Sequence, residues 1–127
     1  MIANFEFFDE EPIENIITCL HYKFDKVIFF GEKKFLEERK RETETFLLKY
    51  CNVKQVLFIE ISCTNPNDVI KTMRTVIVNE QSMGNDCYFD ITGGEGLSLF
   101  AFGVLSNELT VPVHMYDIVK DELLEFD

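Results

Sequence analysis

The chain has 127 residues, 46% of them apolar and 28% charged, a composition that fits one folded domain and excludes a disordered or fibrous chain. Twelve lysines and arginines stand against 23 aspartates and glutamates, a net charge of −11, so neither duplex nucleic acid nor an anionic membrane surface is an expected partner. No apolar run approaches the roughly 20 residues that cross a bilayer, and MIANFEFFDEEP carries acids where a secretory signal carries bases, so a soluble cytoplasmic protein is expected.

The first strand is predicted at Asn4–Phe8. Pro12 suits a first helical position, and Ile13, Ile16, Ile17 and Leu20 follow at helical spacing as the expected buried stripe. Val27–Phe30 is an unalternating apolar run ending at Gly31, the pattern of a parallel strand covered on both faces. The charged segment that follows is predicted to be a helix, with Phe35, Leu36, Leu47, Leu48 and Tyr50 inward and Glu37–Glu44 solvated. Gln55–Ser62 is the third strand, and Asn65 followed by Pro66 is a cap and start for a helix carrying Val69, Ile70, Met73, Val76 and Ile77.

Ser82–Asp86 reads as a loop and Cys87–Ile91 as a fourth strand running into TGGEG. Gly96–Leu109 is apolar nearly all round, so it is expected to be buried by the sheet and its neighbours or by a partner subunit. Gly103 lowers helix propensity there, and close packing is the expected reason. Val113–Val119 is a fifth strand, paired with Leu123–Phe126 through a turn at Lys120, Asp121 and Glu122. The alternation predicts an α/β fold: a Rossmann-like three-layer sandwich with a mostly parallel sheet, helices on both faces and a C-terminal β-hairpin, one domain over residues 1–127.

Chemistry in open α/β sheets gathers outside the carboxyl ends of the strands. Those ends are Asp9-Glu10-Glu11, Gly31-Glu32-Lys33, Ser62-Cys63-Thr64-Asn65, Thr92-Gly93-Gly94-Glu95 and Asp117. Two glycines between a strand and an apolar helix allow backbone amides to approach an anion, or simply make a tight turn; both readings stand on spacing alone. DEEP follows the first strand where a dinucleotide site needs GxGxxG, which argues against a nicotinamide or flavin cofactor. A phospho-receiver needs an aspartate ending the third strand and a lysine ending the fifth, and both are missing. The acids at 9–11 are instead expected to include the cap of the first helix.

Cys19, Cys51, Cys63 and Cys87 form no CxxC pair and read as reduced, mostly buried residues, and His21 and His114 have no companion at ligand spacing. There is no GxSxG elbow. Glu60 and Asp90 are single acids within their strands, which counts against an intrinsic metal nuclease.

FEFFDEEPIENIITCL, FDKVIFFGE and DITGGEGLSLFAFGVL together resemble the amino-terminal CARF (CRISPR-associated Rossmann fold) domain of two-domain CRISPR-associated effector nucleases. The resemblance covers nearly the whole chain, and its sharpest element is Thr92-Gly93-Gly94 with Asp90 before it. It implies a homodimeric sensor, without cofactor, that binds a cyclic oligoadenylate, the tetramer above all, across its two-fold axis in type III CRISPR defence. It carries ligand contact to Thr92, Gly93 and Gly94 directly, and by position to Glu95, Asp9, Glu10, Glu11, Gly31, Lys33, Ser62, Thr64 and Asn65.

Two departures from that pattern matter. Glu95 stands where relatives often carry a base, leaving Lys33 or Lys34 to meet phosphate, and no nuclease domain is present, so a fused or separate nuclease effector is an expected partner. The alternatives are a metal-independent ring nuclease that cleaves the ligand, with Thr92, Ser62 or Lys33 as candidate groups, and a dimerisation module without ligand. A valine at Gly94 is expected to block ligand while leaving the fold intact.

Overall fold

The computed structural model describes residues 1–62 and 64–126. Ten elements follow in order: β1 (Ile2–Phe8), α1 (Pro12–His21), β2 (Lys26–Gly31), α2 (Lys33–Tyr50), β3 (Gln55–Glu60), α3 (Pro66–Ser82), β4 (Asp86–Asp90), α4 (Gly96–Leu109), β5 (Val113–Asp117) and β6 (Glu122–Phe126). The strands form one sheet in the order β3-β2-β1-β4-β5-β6. All pairings are parallel except β5 with β6. This is the Rossmann-like arrangement with a terminal hairpin. The strand order reverses between β1 and β4, which is where such sheets open a crevice.

Alternation along β1 sends Ala3, Phe5 and Phe7 to one face and Asn4, Glu6 and Phe8 to the other. The first face packs with Ile28, Phe30 and Phe89 against Met73 and Ile77 of α3 and Phe102 and Leu105 of α4. The second packs Phe8, Val27, Phe29 and Val56 against Leu36 and Leu47 of α2 and Cys19 of α1. All six residues of β2 are buried, as expected for a strand covered on both sides.

Three expectations fail. In α1 the buried residues are Asn15, Thr18 and Cys19, whereas Ile13 and Leu20 are exposed. The sheet beneath α1 presents Asn4, Glu6, Asp90 and His114, all buried, so the helix turns its polar residues inward to meet them. In α2 the buried residues are Leu36, Thr43 and Leu47, leaving Leu48 and Tyr50 in solvent. Gly103 is not explained by close packing, because a Cβ built on it meets nothing within 4 Å.

Strand ends shift by a few residues. β3 stops at Glu60 and β5 at Asp117, whose Oδ1 accepts the amides of Val119 and Lys120 and so turns the chain early. At the opposite end of the sheet, Lys26 Nζ donates to Glu80 Oε1 at 2.6 Å, with both side chains buried. That pair is internally satisfied and remote from the strand carboxyl ends.

Candidate functional site

Beyond the carboxyl ends of β1, β2 and β4 lies a cleft of about 590 Å³. Its floor includes Phe7, Phe8, Gly31 and Ile61, and one wall is the start of α4 at Gly96–Ser98. Asp9, Glu10, Glu11, Glu14, Glu32 and Glu95 also line it, against the single lysine Lys34. A shallower hollow of about 670 Å³ adjoins it, lined by Glu32, Lys33, Lys34, Glu60, Ile61, Ser62 and Thr64.

Asp9 organises the cleft. Its Oδ1 accepts the amide of Glu11 at 2.9 Å, closing the loop after β1, and its Oδ2 accepts the amide of Gly94 at 2.8 Å. The second bond corrects the expectation that this amide stands open to an outside anion: a carboxylate of the same chain already occupies it. Gly94 adopts φ +101°, and a Cβ on it lies 2.5 Å from Ser98 Oγ and 3.3 Å from Phe7 Cβ. Ser98 needs that space, because its hydroxyl accepts the amide of Glu95 at 2.8 Å and donates to the Glu95 carbonyl at 2.6 Å. Glycine at 94 is therefore a requirement of the turn into α4.

Gly93 is buried, with the ideal Cβ position 3.3 Å from Asp9 Oδ2 and 3.5 Å from Asn15 Nδ2. Gly31 lets β1 and β2 approach, since a Cβ there lies 3.0 Å from Phe8 Cβ. Of the expected site residues, Asp9, Glu10, Glu11, Gly31, Gly94 and Glu95 line the cleft, and Lys33, Ser62 and Thr64 line the adjoining hollow. Ser62 and Thr64 place their hydroxyl oxygens 3.2 Å apart, and Cys63 between them lies outside the described residues.

Two residues turn away from both hollows. Asn65 caps α3, its side-chain oxygen accepting the amides of Asn67 at 3.0 Å and Asp68 at 3.4 Å, as its place before Pro66 predicts. Thr92 faces inward. Its hydroxyl donates to Asp90 Oδ1 at 2.6 Å and accepts the Tyr116 amide at 2.8 Å, so it bolts the loop after β4 to β5. Glu11 occupies the N-cap of α1, as expected of the acids there, and holds that position without a side-chain capping hydrogen bond.

Beneath the loop lies a feature that the single-residue reading of Asp90 misses. Glu6, Asp90 and His114 are in register on three adjacent strands, a row of ionisable groups across the sheet under α1. Glu6 and Asp90 are 2% and 1% exposed. Asn4 Nδ2 donates to Glu6 Oε2 at 3.1 Å and reaches Asp90 Oδ2 at 3.4 Å. Burial raises the Glu6 carboxyl well above its ordinary value, and the nearby Asp90 raises it further.

His114 Nε2 lies 3.9 Å from Asp90 Oδ2, and its ring stacks with those of Phe24 and Tyr88. Its burial lowers its pKa against the opposing pull of Asp90. Alternation placed all three residues on one face; only pairing of β1 with β4 and β4 with β5 brings them side by side. Among the described residues, no three histidines, cysteines or acids are grouped to hold a metal ion. Cys19, Cys51 and Cys87 are buried and free.

No protein-family model and no curated protein matches the chain. Solved structures do. Protein VC1899 from Vibrio cholerae superposes with a TM-score of 0.83 at 16% identity, over 98% of this chain and 33% of its own. Can2 from Sulfobacillus thermosulfidooxidans, solved in complex with cyclic tetra-adenylate, superposes with a TM-score of 0.79 at 11% identity, over 98% of this chain and 34% of its own. The likeness establishes a shared fold. The chain spans about a third of the length of either protein.

Proposed function

We propose that this domain is a CARF-type sensor that binds a cyclic oligoadenylate, cyclic tetra-adenylate first, between two copies of the chain in type III CRISPR defence. The observation that carries the reading is the cleft at the β1–β4 reversal, in a domain whose fold matches, over nearly its whole length, a protein solved with cyclic tetra-adenylate. The Thr92-Gly93-Gly94 turn and the proline-started α1 support it.

Charge orients the ligand. Phosphodiesters are repelled by the six carboxylates of the main cleft and attracted to Lys33 and Lys34 beside the hydroxyls of Ser62 and Thr64. Adenine amino groups, which donate hydrogen bonds, suit the acidic side. Signalling output belongs to a nuclease effector, fused or separate.

Calorimetry with cyclic tetra-adenylate, followed by chromatography of the recovered ligand, tests the reading. Saturable binding with intact ligand supports a sensor. Binding with conversion to linear products makes the domain a ring nuclease, and no binding at any ring size leaves a dimerisation module.

A further inference from the structure

The main cleft sets an electrostatic problem for an anionic guest. Asp9, Glu10 and Glu11 reach it from the loop after β1, Glu14 from α1, Glu32 from the start of α2 and Glu95 from the start of α4. Among the described residues, Lys34 is the one cation that lines it. Lys33 and Lys34 attract phosphodiesters at one edge, but a cyclic ligand cannot bring all of its phosphates to one edge. The remainder come close to carboxylates in a concave site, where repulsion is stronger than in open water.

Two of the acids converge on the glycine turn. The ideal Cβ position of Gly93 lies 3.3 Å from Asp9 Oδ2 and 3.4 Å from Glu14 Cβ. Asp9 uses both oxygens on backbone amides, those of Glu11 and Gly94. Glu14 stands half-buried beside it. Burial raises the Glu14 carboxyl above its ordinary value, and the charges of Asp9 and Glu11, a hydrogen bond to Asp9 and the charge of Glu95 act in the same direction. A phosphodiester stays ionised wherever the protein is folded, so relief of the repulsion has to come from the protein. A half-buried acid among acids gives it at the least cost.

We propose that the cleft takes up a proton together with its anionic ligand, and that the Glu14 carboxyl is the group that accepts it. The inference deepens the cyclic oligoadenylate reading and rests on it. The buffer gives up the proton, an O–H bond forms at Glu14, and no other bond changes. The protonated carboxyl no longer repels phosphate. It also becomes a donor toward Asp9, which then has a partner once phosphate displaces it from the Gly94 amide. Affinity is therefore highest where Glu14 already carries its proton in the free protein. It falls as pH rises above the ordinary value of 4.5 and through the raised one, by about tenfold per pH unit for one whole proton.

Calorimetry with cyclic tetra-adenylate, at one pH in buffers of different ionisation enthalpy, tests it on the full chain. Net proton uptake is expected, with affinity rising as pH is lowered. Glu14→Gln, neutral and of the same shape, is expected to bind about tenfold more tightly than the parent at about pH 7. It should lose both the uptake and the pH slope with circular dichroism unchanged, and Glu14→Asp should restore them. Binding without proton uptake overturns the inference and leaves the sensor reading standing. Uptake that persists in Glu14→Gln does the same, because the proton then resides on adenine or on another acid. A folded Glu14→Gln that binds more weakly also overturns it. No binding heat at any pH overturns the sensor reading and this inference together.

Discussion

The amide of Gly94 donates to the carboxylate of Asp9 at 2.8 Å across 85 residues of sequence, tying the loop after β1 to the loop after β4 at the point where the sheet reverses its strand order. An anion therefore already sits on the glycine turn. Any phosphate that binds there has to displace it.

Asp9→Ala is expected to have two opposite effects. Losing two hydrogen bonds to a half-buried carboxylate lowers stability by about 1.5–3 kcal/mol, read as a fall in Tm. Affinity for cyclic tetra-adenylate rises, because phosphate no longer competes with a resident carboxylate. Calorimetry showing weaker binding by a folded variant would make Asp9 a ligand contact instead.

Gly94→Ala is expected to damage the fold before it reports on any ligand. The backbone at φ +101° and the 2.5 Å approach to Ser98 Oγ leave no room for a methyl group. A loss of at least about 1–3 kcal/mol in urea unfolding is expected, and more for valine. This replaces the expectation that Gly94→Val blocks ligand in an intact protein. Unaltered stability in Gly94→Ala would mean that the turn adopts another conformation in solution.

Glu6→Gln tests the buried row. The folded-state pKa of Glu6 lies above its ordinary value of 4.5. The stabilisation tied to its protonated form is thus complete below that ordinary value and is lost as pH rises through the folded value. Glutamine does not titrate and keeps the shape. The Tm of Glu6→Gln relative to the parent is expected to climb as pH rises above the ordinary glutamate value of 4.5 toward the raised folded-state value. A Tm difference independent of pH would show that Glu6 ionises freely in the folded protein.

The elements and the fold class were legible in the chain because they depend on local terms. Pro12 and Pro66 mark helix starts, Asn65 is a cap, VIFF is a doubly covered strand, and the α4 boundaries fall where the apolar run begins and ends. Positions at the strand carboxyl ends were legible too, since alternation of strand and helix dictates which loops share an edge. Gly31, Gly94 and Glu95 reach the cleft on that logic alone.

What each side chain does there was decided by tertiary structure. Thr92 and Asn65 carry the residue types of a binding loop, yet one hydroxyl holds β5 in place and the other side chain caps its own helix. The inward phase of α1 was misread because isoleucine spacing assumes an apolar surface beneath the helix, and the strands below carry Glu6, Asp90 and His114. No local pattern encodes that row. Parallel pairing joins residues 84 positions apart, and the free energy that keeps an acid buried comes from partners that only the folded sheet supplies.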